Sequence, residues 1–250
     1  MKRLLRMILI GSLLSIIYVA PAWGHEFDGV ECPTQKISKS VKMYSKTSLN
    51  IRSQPGIIYH KIGQLKFNQE IKVIDYGDTW VRVVSKKGYM CGYVNKRYLS
   101  RKKCKHIEYN IPEYNGFKSF MDYQAITDTS SPQWYLQQEY AYDGDYGIRM
   151  VDGRFCVAIG FAFEPRIGQY FDLILENGTV IPCIISDEKK VEDTIDNMYT
   201  ADNGCYTEFV VNPSDLSEKV SAMGDISYSC DEWQSPVEKI IIYKKNIMEE

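Results

Sequence analysis

Histidine is scarce in this sequence of 250 residues, which contains only three. His25, His60 and His106 all precede residue 110. Cys-His and Ser-His-Asp catalytic arrangements, and zinc centres held by histidine, all need an imidazole at the site. The part of the chain after residue 110 therefore cannot build such a site alone. This exclusion fails only if His60 or His106 reaches across from the first part of the chain.

Cysteine motifs for metal or redox chemistry are also missing. The seven cysteines never show the C-x-x-C spacing of zinc and redox sites; they are Cys32, Cys91, Cys104, Cys156, Cys183, Cys205 and Cys230. The acidic residues do not follow the Asp-x-Asp-x-Asp-Gly spacing of an EF-hand calcium loop. We therefore expect no metal site and no cofactor.

Long apolar runs are limited to residues 7–20, which follow the basic residues Lys2, Arg3 and Arg6. Small residues at positions 22 and 24 suit cleavage before His25, so residues 1–24 are predicted to be a secretory signal peptide. The run is shorter than the roughly 20 residues that a membrane-spanning helix needs. The alternative, an uncleaved N-terminal anchor, stays open. We expect a secreted, extracytoplasmic protein with no stable membrane span.

Export makes disulfides possible, and the odd number of cysteines leaves at least one thiol unpaired in a monomer. Cys32 and Cys104 flank a basic stretch of the chain and could join its ends. The alternative is that the cysteines are buried, reduced thiols that pack as small hydrophobic residues.

Charge is divided unevenly along the chain. The formal net charge is −2, but residues 25–108 carry +10 and residues 109–250 carry −15. This division predicts two chemically different parts. One consequence left open is that the two parts attract each other and close a groove between them, with an association that weakens as salt rises.

Short alternating strands separated by turn residues run through the basic part and predict a small β-barrel. The motifs that identify it are LNIRSQPG, IGQL, WVRV, GYV and YL, at residues 49–56, 62–65, 80–83, 92–94 and 98–99. In this order they resemble a bacterial SH3 (SH3b) domain, which we place at residues 38–100. The resemblance implies binding to peptidoglycan, its cross-bridge or its stem peptides, outside the cell.

Aromatic residues of this part are candidates for an exposed ligand groove. With Arg52, the candidate ligand-binding residues are Tyr44, Tyr59, Tyr89 and Tyr93. Trp80 stands in an apolar strand, where core packing is the favoured interpretation. The basic balance suits an anionic wall polymer or a phosphate-bearing surface. Nucleic acid is not expected, because the protein is exported and carries no nucleic-acid fold signature.

The acidic part follows a linker that we place at residues 101–115, whose basic run 101–105 is favoured as a solvated stretch. Helical spacing predicts a helix over residues 116–125, and Ser131-Pro132 predicts the start of another that reaches Tyr140. Beyond it, turn residues at 151–154 and 176–179 separate β-strands. The fold class predicted for the chain is mainly β, with a small SH3-like barrel and a second, six-stranded barrel.

The second domain, placed at residues 116–247 with N-terminal helices, resembles over about residues 147–243 the double-psi β-barrels of bacterial wall-remodelling proteins. Its motifs are DGRFCVAIG, IGQYF, ENGT, IISD and GDI, at residues 152–160, 167–171, 176–179, 184–187 and 224–226. The related families are rare lipoprotein A, the membrane-bound lytic transglycosylases and the three-aspartate proteins. Rare-lipoprotein-A barrels pair a catalytic Asp with a His, and this part of the chain departs from them in having no His partner.

The resemblance implies that an Asp after a late strand is catalytic, and the matching residue is Asp187. A carboxyl at an apolar strand end is desolvated, which raises its pKa as an acid catalyst requires. Crowding by Glu188, Glu192, Asp193 and Asp196 would act in the same direction, and Asp193 and Asp196 are further catalytic candidates. The competing interpretation is a solvated loop.

These patterns predict a cell-wall-associated protein whose SH3b module binds peptidoglycan or another wall polymer. The barrel is predicted to cleave glycan strands as lytic transglycosylases do, with carboxylates as its only available catalysts. The alternative is a non-catalytic peptidoglycan-binding or scaffolding protein.

Overall fold

The computed structural model describes residues 40–76, 79–84, 90–111 and 117–249. The predicted signal peptide, Cys32 and Tyr89 lie outside these ranges, and so does the proposed pairing of Cys32 with Cys104. Among the described helices, none has the length and apolar character to cross a membrane. The chain is mainly β, as predicted.

The first sheet contains seven strands and has the order β3-β2-β6-β5-β4-β1-β7. Its strands are β1 Val41–Ser45, β2 Leu49–Arg52, β3 Lys61–Leu65, β4 Glu70–Tyr76, β5 Trp80–Val84, β6 Met90–Asn95 and β7 Leu99–Ser100. Alternate residues of β2 and β5 point inward, so Leu49, Ile51, Val81 and Val83 are buried in one apolar core. The alternation of apolar and polar residues in the sequence therefore matches the alternation of buried and exposed side chains along these strands.

The second sheet contains nine strands, three more than the six expected. A path β10-β11-β12-β14-β13-β18-β8 is extended by β17, which pairs with β12, and by β9, which pairs with β17. The strands are β8 His106–Asn110, β9 Ser119–Asp122, β10 Tyr142–Asp143, β11 Arg149–Val151, β12 Arg154–Ile159, β13 Gln169–Leu175, β14 Val180–Glu188, β17 Thr207–Val211 and β18 Val237–Asn246. A separate hairpin is formed by β15 Thr194–Ile195 and β16 Tyr199–Thr200. Strands as short as β10 carry too few residues to show an alternating pattern.

Turn chemistry places the hairpins of this sheet as the sequence indicates. Asp152 and Gly153 both have positive φ, 49° and 71°, between β11 and β12. Gly178 has φ 81° between β13 and β14. The positive φ pair at Asp152-Gly153 matches the twist of a two-residue hairpin, whereas Gly178 is a single positive φ residue in a longer loop.

Two helices pack beside the sheet, α1 Pro132–Glu139 and α2 Glu218–Met223. The predicted start of α1 is confirmed: Pro132 is its first residue, and the Ser131 hydroxyl accepts a hydrogen bond from the Trp134 N–H. The helix ends at Glu139, one residue before the predicted end.

The helix predicted over residues 116–125 is wrong, because Ser119–Asp122 forms β9. This strand pairs in parallel with β17, with Ser119 opposite Glu208. Just before it, the buried Lys118 ammonium donates to the carbonyl oxygens of Trp233 (2.7 Å) and Ser235 (2.9 Å). These long-range hydrogen bonds outweigh the local preference for helix.

Residues 106–110, which were expected in the linker 101–115, instead form β8 and pair with β18. The basic stretch before β8 is held as well. Asn68 donates from its side-chain amide to the Cys104 carbonyl (3.2 Å) and accepts from the Cys104 N–H (2.8 Å). The connection between the two sheets is therefore attached to the turn between β3 and β4.

The two sheets meet at Phe67, which lies in the turn between β3 and β4 but packs in the core of the second sheet. Its ring makes edge contacts with Tyr243 and Tyr170, at centroid distances of 4.8 and 5.3 Å. The Arg154 guanidinium lies 5.4 Å from the Phe67 ring and forms a buried ion pair with Asp172. The sheets are thus joined by a buried aromatic contact as well as by the chain.

Candidate functional site

Arg52 is the centre of a cluster on the first sheet. Its guanidinium Nη1 donates to the Tyr59 carbonyl oxygen at 2.8 Å, and Arg52 stands opposite Tyr93 where β2 pairs with β6. Gly92 allows this approach: its φ is 124°, and a Cβ there would lie 2.7 Å from the Arg52 carbonyl oxygen. The structure therefore brings together three of the five candidate ligand-binding residues.

The loop between β2 and β3 carries two exposed apolar side chains beside this cluster. Ile57 is 76% exposed and Ile58 is 86% exposed. Arg52 ties this loop to β2 through its bond to Tyr59. Together, Arg52, Tyr59, Tyr93, Ile57 and Ile58 define the surface that we call the Arg52 face. It combines a cation, two tyrosines and exposed apolar groups, a combination suited to binding a peptide.

Tyr44 does not belong to the Arg52 face. It lies on β1, four strands from β2 in the sheet order, where its hydroxyl donates to Glu70 (3.2 Å). Trp80 is half-buried at the start of β5 and is not among the buried residues of the core. Trp80 was expected to pack in the core, but its side chain is only half-buried.

Asp187 lies inside β14 and not in a loop after it. Glu188 N–H donates to its carboxylate at 2.9 Å, and the half-buried side chain lies near Gln133 of α1. Burial raises the pKa of Asp187, and the nearby Glu208 carboxylate raises it further, while hydrogen bonds from Glu188 and Gln133 oppose the rise. A carboxyl with this tendency keeps its proton to higher pH, which is what an acid catalyst needs.

Like charge beside Asp187 comes from Glu188, its neighbour in sequence, and from Glu208, which lies on a different strand. Ala158 of β12 stands opposite Asp187 on one side and opposite Glu208 on the other. Asp193 and Asp196 are instead exposed, and Asp196 has φ 53° in the turn between β15 and β16. Of the neighbours in sequence that were expected to crowd Asp187, Glu188 does so: burial and the Asp187 carboxylate both raise the pKa of Glu188. A further carboxylate, Glu208, is brought by β17. The sequence holds a signal for this neighbour, because Glu208 is the one charged residue in the apolar strand β17.

Lys189 connects Glu208 with a buried polar group. Its ammonium lies 3.8 Å from the Glu208 carboxylate, donates to Thr200 at 2.7 Å and lies 3.5 Å from the Cys205 sulfur. Lys189 and Cys205 are both buried. The positive charge of Lys189 is thus shared between a carboxylate, a hydroxyl and a thiol.

The expectation that the acidic part lacks histidine is corrected for His106, since β8 belongs to the second sheet. Its Nε2 lies 3.0 Å from the Glu108 carboxylate, and its ring contacts Tyr243 at 5.8 Å. A carboxylate, not a cysteine or serine, is therefore its hydrogen-bonding neighbour.

Surface cavities formed by described residues lie on the second sheet and at its junction with the first. A cleft of about 250 Å³ is lined by Tyr109, Phe163, Glu164, Arg166 and Gln169. A groove of about 490 Å³ runs between the sheets, and six lysines are among the residues that line it. Neither cavity includes Asp187, Asp193 or Asp196. For the described residues, no group of three or more His, Cys, Asp or Glu is arranged to hold a metal ion.

Comparison with known proteins identifies the first sheet. Residues 47–100 match the family model of the bacterial SH3 domain. This domain is typical of proteins associated with the cell wall. The match includes β2 to β7 and every residue of the Arg52 face. No curated protein matches the chain.

Two solved structures show weak similarity to the chain. One is described as the structure of NlpC1 from Trichomonas vaginalis, with 18% identity over 58% of this chain and 56% of that chain, and a TM-score of 0.23. The other is NlpC2 from the same organism, with 15% identity over 70% of this chain and 69% of that chain, and a TM-score of 0.23. The chain thus spans little more than half the length of the first structure. At these TM-scores, the fold of the second sheet is not assigned to a known class.

Proposed function

We propose that this protein is exported and binds peptidoglycan through the Arg52 face of its SH3 domain. The observation that carries the proposal is the meeting of Arg52, Tyr59 and Tyr93 beside the exposed Ile57 and Ile58. A guanidinium has five N–H donors, so Arg52 keeps donors for a ligand carboxylate after its bond to Tyr59. The stem peptides of peptidoglycan supply such carboxylates next to small apolar side chains.

Binding to purified peptidoglycan sacculi in a sedimentation assay tests this proposal. We expect Tyr93→Ala and Arg52→Ala each to weaken binding about tenfold, as expected for residues at the centre of an interface. Tyr44→Ala is the matched control, because it removes a half-buried tyrosine from the same sheet away from the Arg52 face. Equal loss in all three variants, or unchanged binding by Tyr93→Ala with its fold intact by circular dichroism, would refute the proposal.

Glycan-strand cleavage by Asp187 is a second candidate, favoured by the raised pKa of this half-buried carboxyl beside Glu208. The resemblance to double-psi barrels of lytic transglycosylases supports it. Protonated Asp187 would give its proton to the glycosidic oxygen as the bond to the anomeric carbon breaks. A hydroxyl of the same sugar would attack that carbon and give its proton to the Asp187 carboxylate, which leaves an anhydro ring and restores the protonated acid.

Mass spectrometry of peptidoglycan incubated with the protein tests this candidate through anhydro-sugar ends. We expect such ends from the wild type and a loss of at least about a hundredfold in Asp187→Asn. Asp193→Asn and Asp196→Asn are the control variants, since these exposed carboxylates lack the burial of Asp187. Absence of anhydro ends from the wild type, or equal amounts from Asp187→Asn, would leave the non-catalytic alternative: a peptidoglycan-binding or scaffolding protein.

A further inference from the structure

A groove of about 490 Å³ between the two sheets collects lysines from three separate segments. Lys46 follows β1, and Lys244 belongs to β18. Between the two sheets, the segment 101–105 contributes three more. The six lysines are Lys46, Lys102, Lys103, Lys105, Lys244 and Lys245, and we call this set the lysine groove. All are exposed except Lys245, which is half-buried and whose ammonium lies 5.0 Å from the Tyr170 ring.

The lysines of this groove are held in place by the backbone. Cys104 is attached to Asn68 by two hydrogen bonds, so the residues on either side of it have a defined position. Lys244 N–H donates to the Lys105 carbonyl oxygen at 2.7 Å, which joins the segment 101–105 to β18. The basic run that we expected to be a solvated linker therefore forms a wall of a groove.

Little negative charge opposes these lysines. Within the described ranges, Lys46, Lys102, Lys103, Lys105 and Lys244 form no ion pair with an acidic residue. The acidic residue that lines the groove is Glu249, whose carboxylate pairs with Arg166 at 2.8 Å. The ammonium groups of these five lysines line one groove and repel one another unless an anion enters it.

We infer that the lysine groove binds an anionic polymer of the cell envelope that carries repeated phosphodiester groups. A single carboxylate is too small a charge for five exposed lysines distributed over the groove. Arginine forks are preferred for paired contacts with carboxylates, whereas lysine meets phosphate oxygens as a point charge. The groove is lined by lysine and contains no arginine. This chemistry favours phosphate over carboxylate.

The same reasoning favours an envelope polymer over a nucleic acid, which also carries phosphodiesters. Proteins that bind single strands stack the bases on exposed aromatic rings. The aromatic residue that lines the groove is Phe67, which is only 8% exposed because its ring packs between Tyr170 and Tyr243. The groove therefore offers charge without a stacking surface.

This inference deepens the proposed wall-binding function by adding a second ligand at a different surface. The test measures binding of short-chain inorganic polyphosphate to the full chain by fluorescence anisotropy over a range of salt concentrations. We expect the triple variant Lys102→Gln, Lys103→Gln, Lys244→Gln to bind about a hundredfold more weakly at low salt, at about fivefold for each lysine. The slope of log K against log salt should fall by about 2, since each phosphate contact contributes about 0.7.

The matched control removes the same charge elsewhere, from the exposed residues Lys61, Lys72 and Lys190. This Lys61→Gln, Lys72→Gln, Lys190→Gln variant should bind polyphosphate within about twofold of the wild type. Equal losses in both triple variants would mean that net charge alone attracts the polymer and would overturn the inference. So would binding of poly-glutamate as tight as that of polyphosphate, or tighter binding of a single-stranded oligonucleotide.

Peptidoglycan stripped of its anionic polymers separates this inference from the proposed function. The lysine variant should bind stripped peptidoglycan normally, whereas Tyr93→Ala should lose that binding and keep polyphosphate binding. Failure to bind polyphosphate with peptidoglycan binding intact overturns the lysine groove alone. Failure to bind stripped peptidoglycan with polyphosphate binding intact overturns the Arg52 face alone.

Discussion

Replacing Phe67 with alanine should loosen the junction between the two sheets. Phe67 belongs to a turn of the SH3 domain, yet its ring is packed in the core of the second sheet. The substitution removes the edge contacts with Tyr170 and Tyr243, and it also removes the ring beneath the Arg154 guanidinium. The core of the first sheet does not include Phe67. The SH3 core should therefore stay intact while the junction weakens.

The expected magnitude follows from burial. Truncating a buried phenylalanine to alanine costs about 3–5 kcal/mol, which combines lost burial with the cavity left behind. Each aromatic pair contributes about 0.5–1.5 kcal/mol beyond its buried area. We expect the free energy of unfolding of the second sheet to fall by about 3–5 kcal/mol. The SH3 domain should unfold in a separate, nearly unchanged transition.

Tryptic cleavage and urea denaturation measure these effects. The segment 101–105 is rich in trypsin sites, and it is attached to Asn68, the neighbour of Phe67. Cleavage in this segment should therefore become at least about tenfold faster in Phe67→Ala, because local opening exposes the backbone to the protease. The matched control is Phe161→Ala, since Phe161 is 56% exposed and its removal should leave both measurements unchanged.

Two results would refute this reasoning. One is a loss of stability below about 1 kcal/mol, which would place Phe67 outside a packed environment. The other is unchanged cleavage within the segment 101–105 despite a large loss of stability, which would mean that the junction does not depend on the ring.

Three further predictions concern buried groups of the second sheet. Burial raises the pKa of Asp187 above its ordinary value of 3.8. The protonated carboxyl therefore favours the folded state below pH 3.8, and this contribution to stability is lost as the pH rises through the folded-state pKa. Urea denaturation across about pH 3–8 should accordingly show that Asp187→Asn is more stable than the wild type at neutral pH. Equal stability of the two proteins at pH 7 would contradict this. Burial raises the pKa of Cys156 to about 12 and raises the pKa of Cys183 well above its ordinary value. Iodoacetamide should therefore label both thiols only after unfolding, and mass spectrometry detects the labelled cysteines. Arg154→Ala should lower the free energy of unfolding by about 3–5 kcal/mol, because it leaves Asp172 as a buried charge without its ion-pair partner. The double variant Arg154→Ala, Asp172→Asn should recover part of this stability. No recovery would show that the charge of Asp172 is not the cause of the loss.

Much of the fold could be predicted where the local signal is strong. The SH3 strands follow alternating residues bounded by turns, and the hairpins at Asp152-Gly153 and Gly178 follow residues that tolerate positive φ. Ser131-Pro132 marks the start of α1 through a side-chain cap. In each case the determining interactions lie within a few residues, so neighbouring residues carry the information.

The failures arise where distant segments decide the structure. Ser119–Asp122 has helical spacing but forms β9, because β17 offers it a partner and Lys118 is held by carbonyl groups more than a hundred residues away. Asp187 could be selected from its place at the end of an apolar run. Its charged neighbour Glu208 could not be paired with it, because strand order is a long-range property.

The sequence by itself determined the mainly β class, the SH3 motifs and the separation of basic and acidic halves, because composition and local periodicity are properties of neighbouring residues. Only the tertiary structure decided which of the candidate residues meet. It separated Tyr44 from Arg52 and replaced Asp193 and Asp196 with Glu208 beside Asp187. It also assembled lysines from three segments into one groove, because chain pairing and packing, not proximity in sequence, place side chains together.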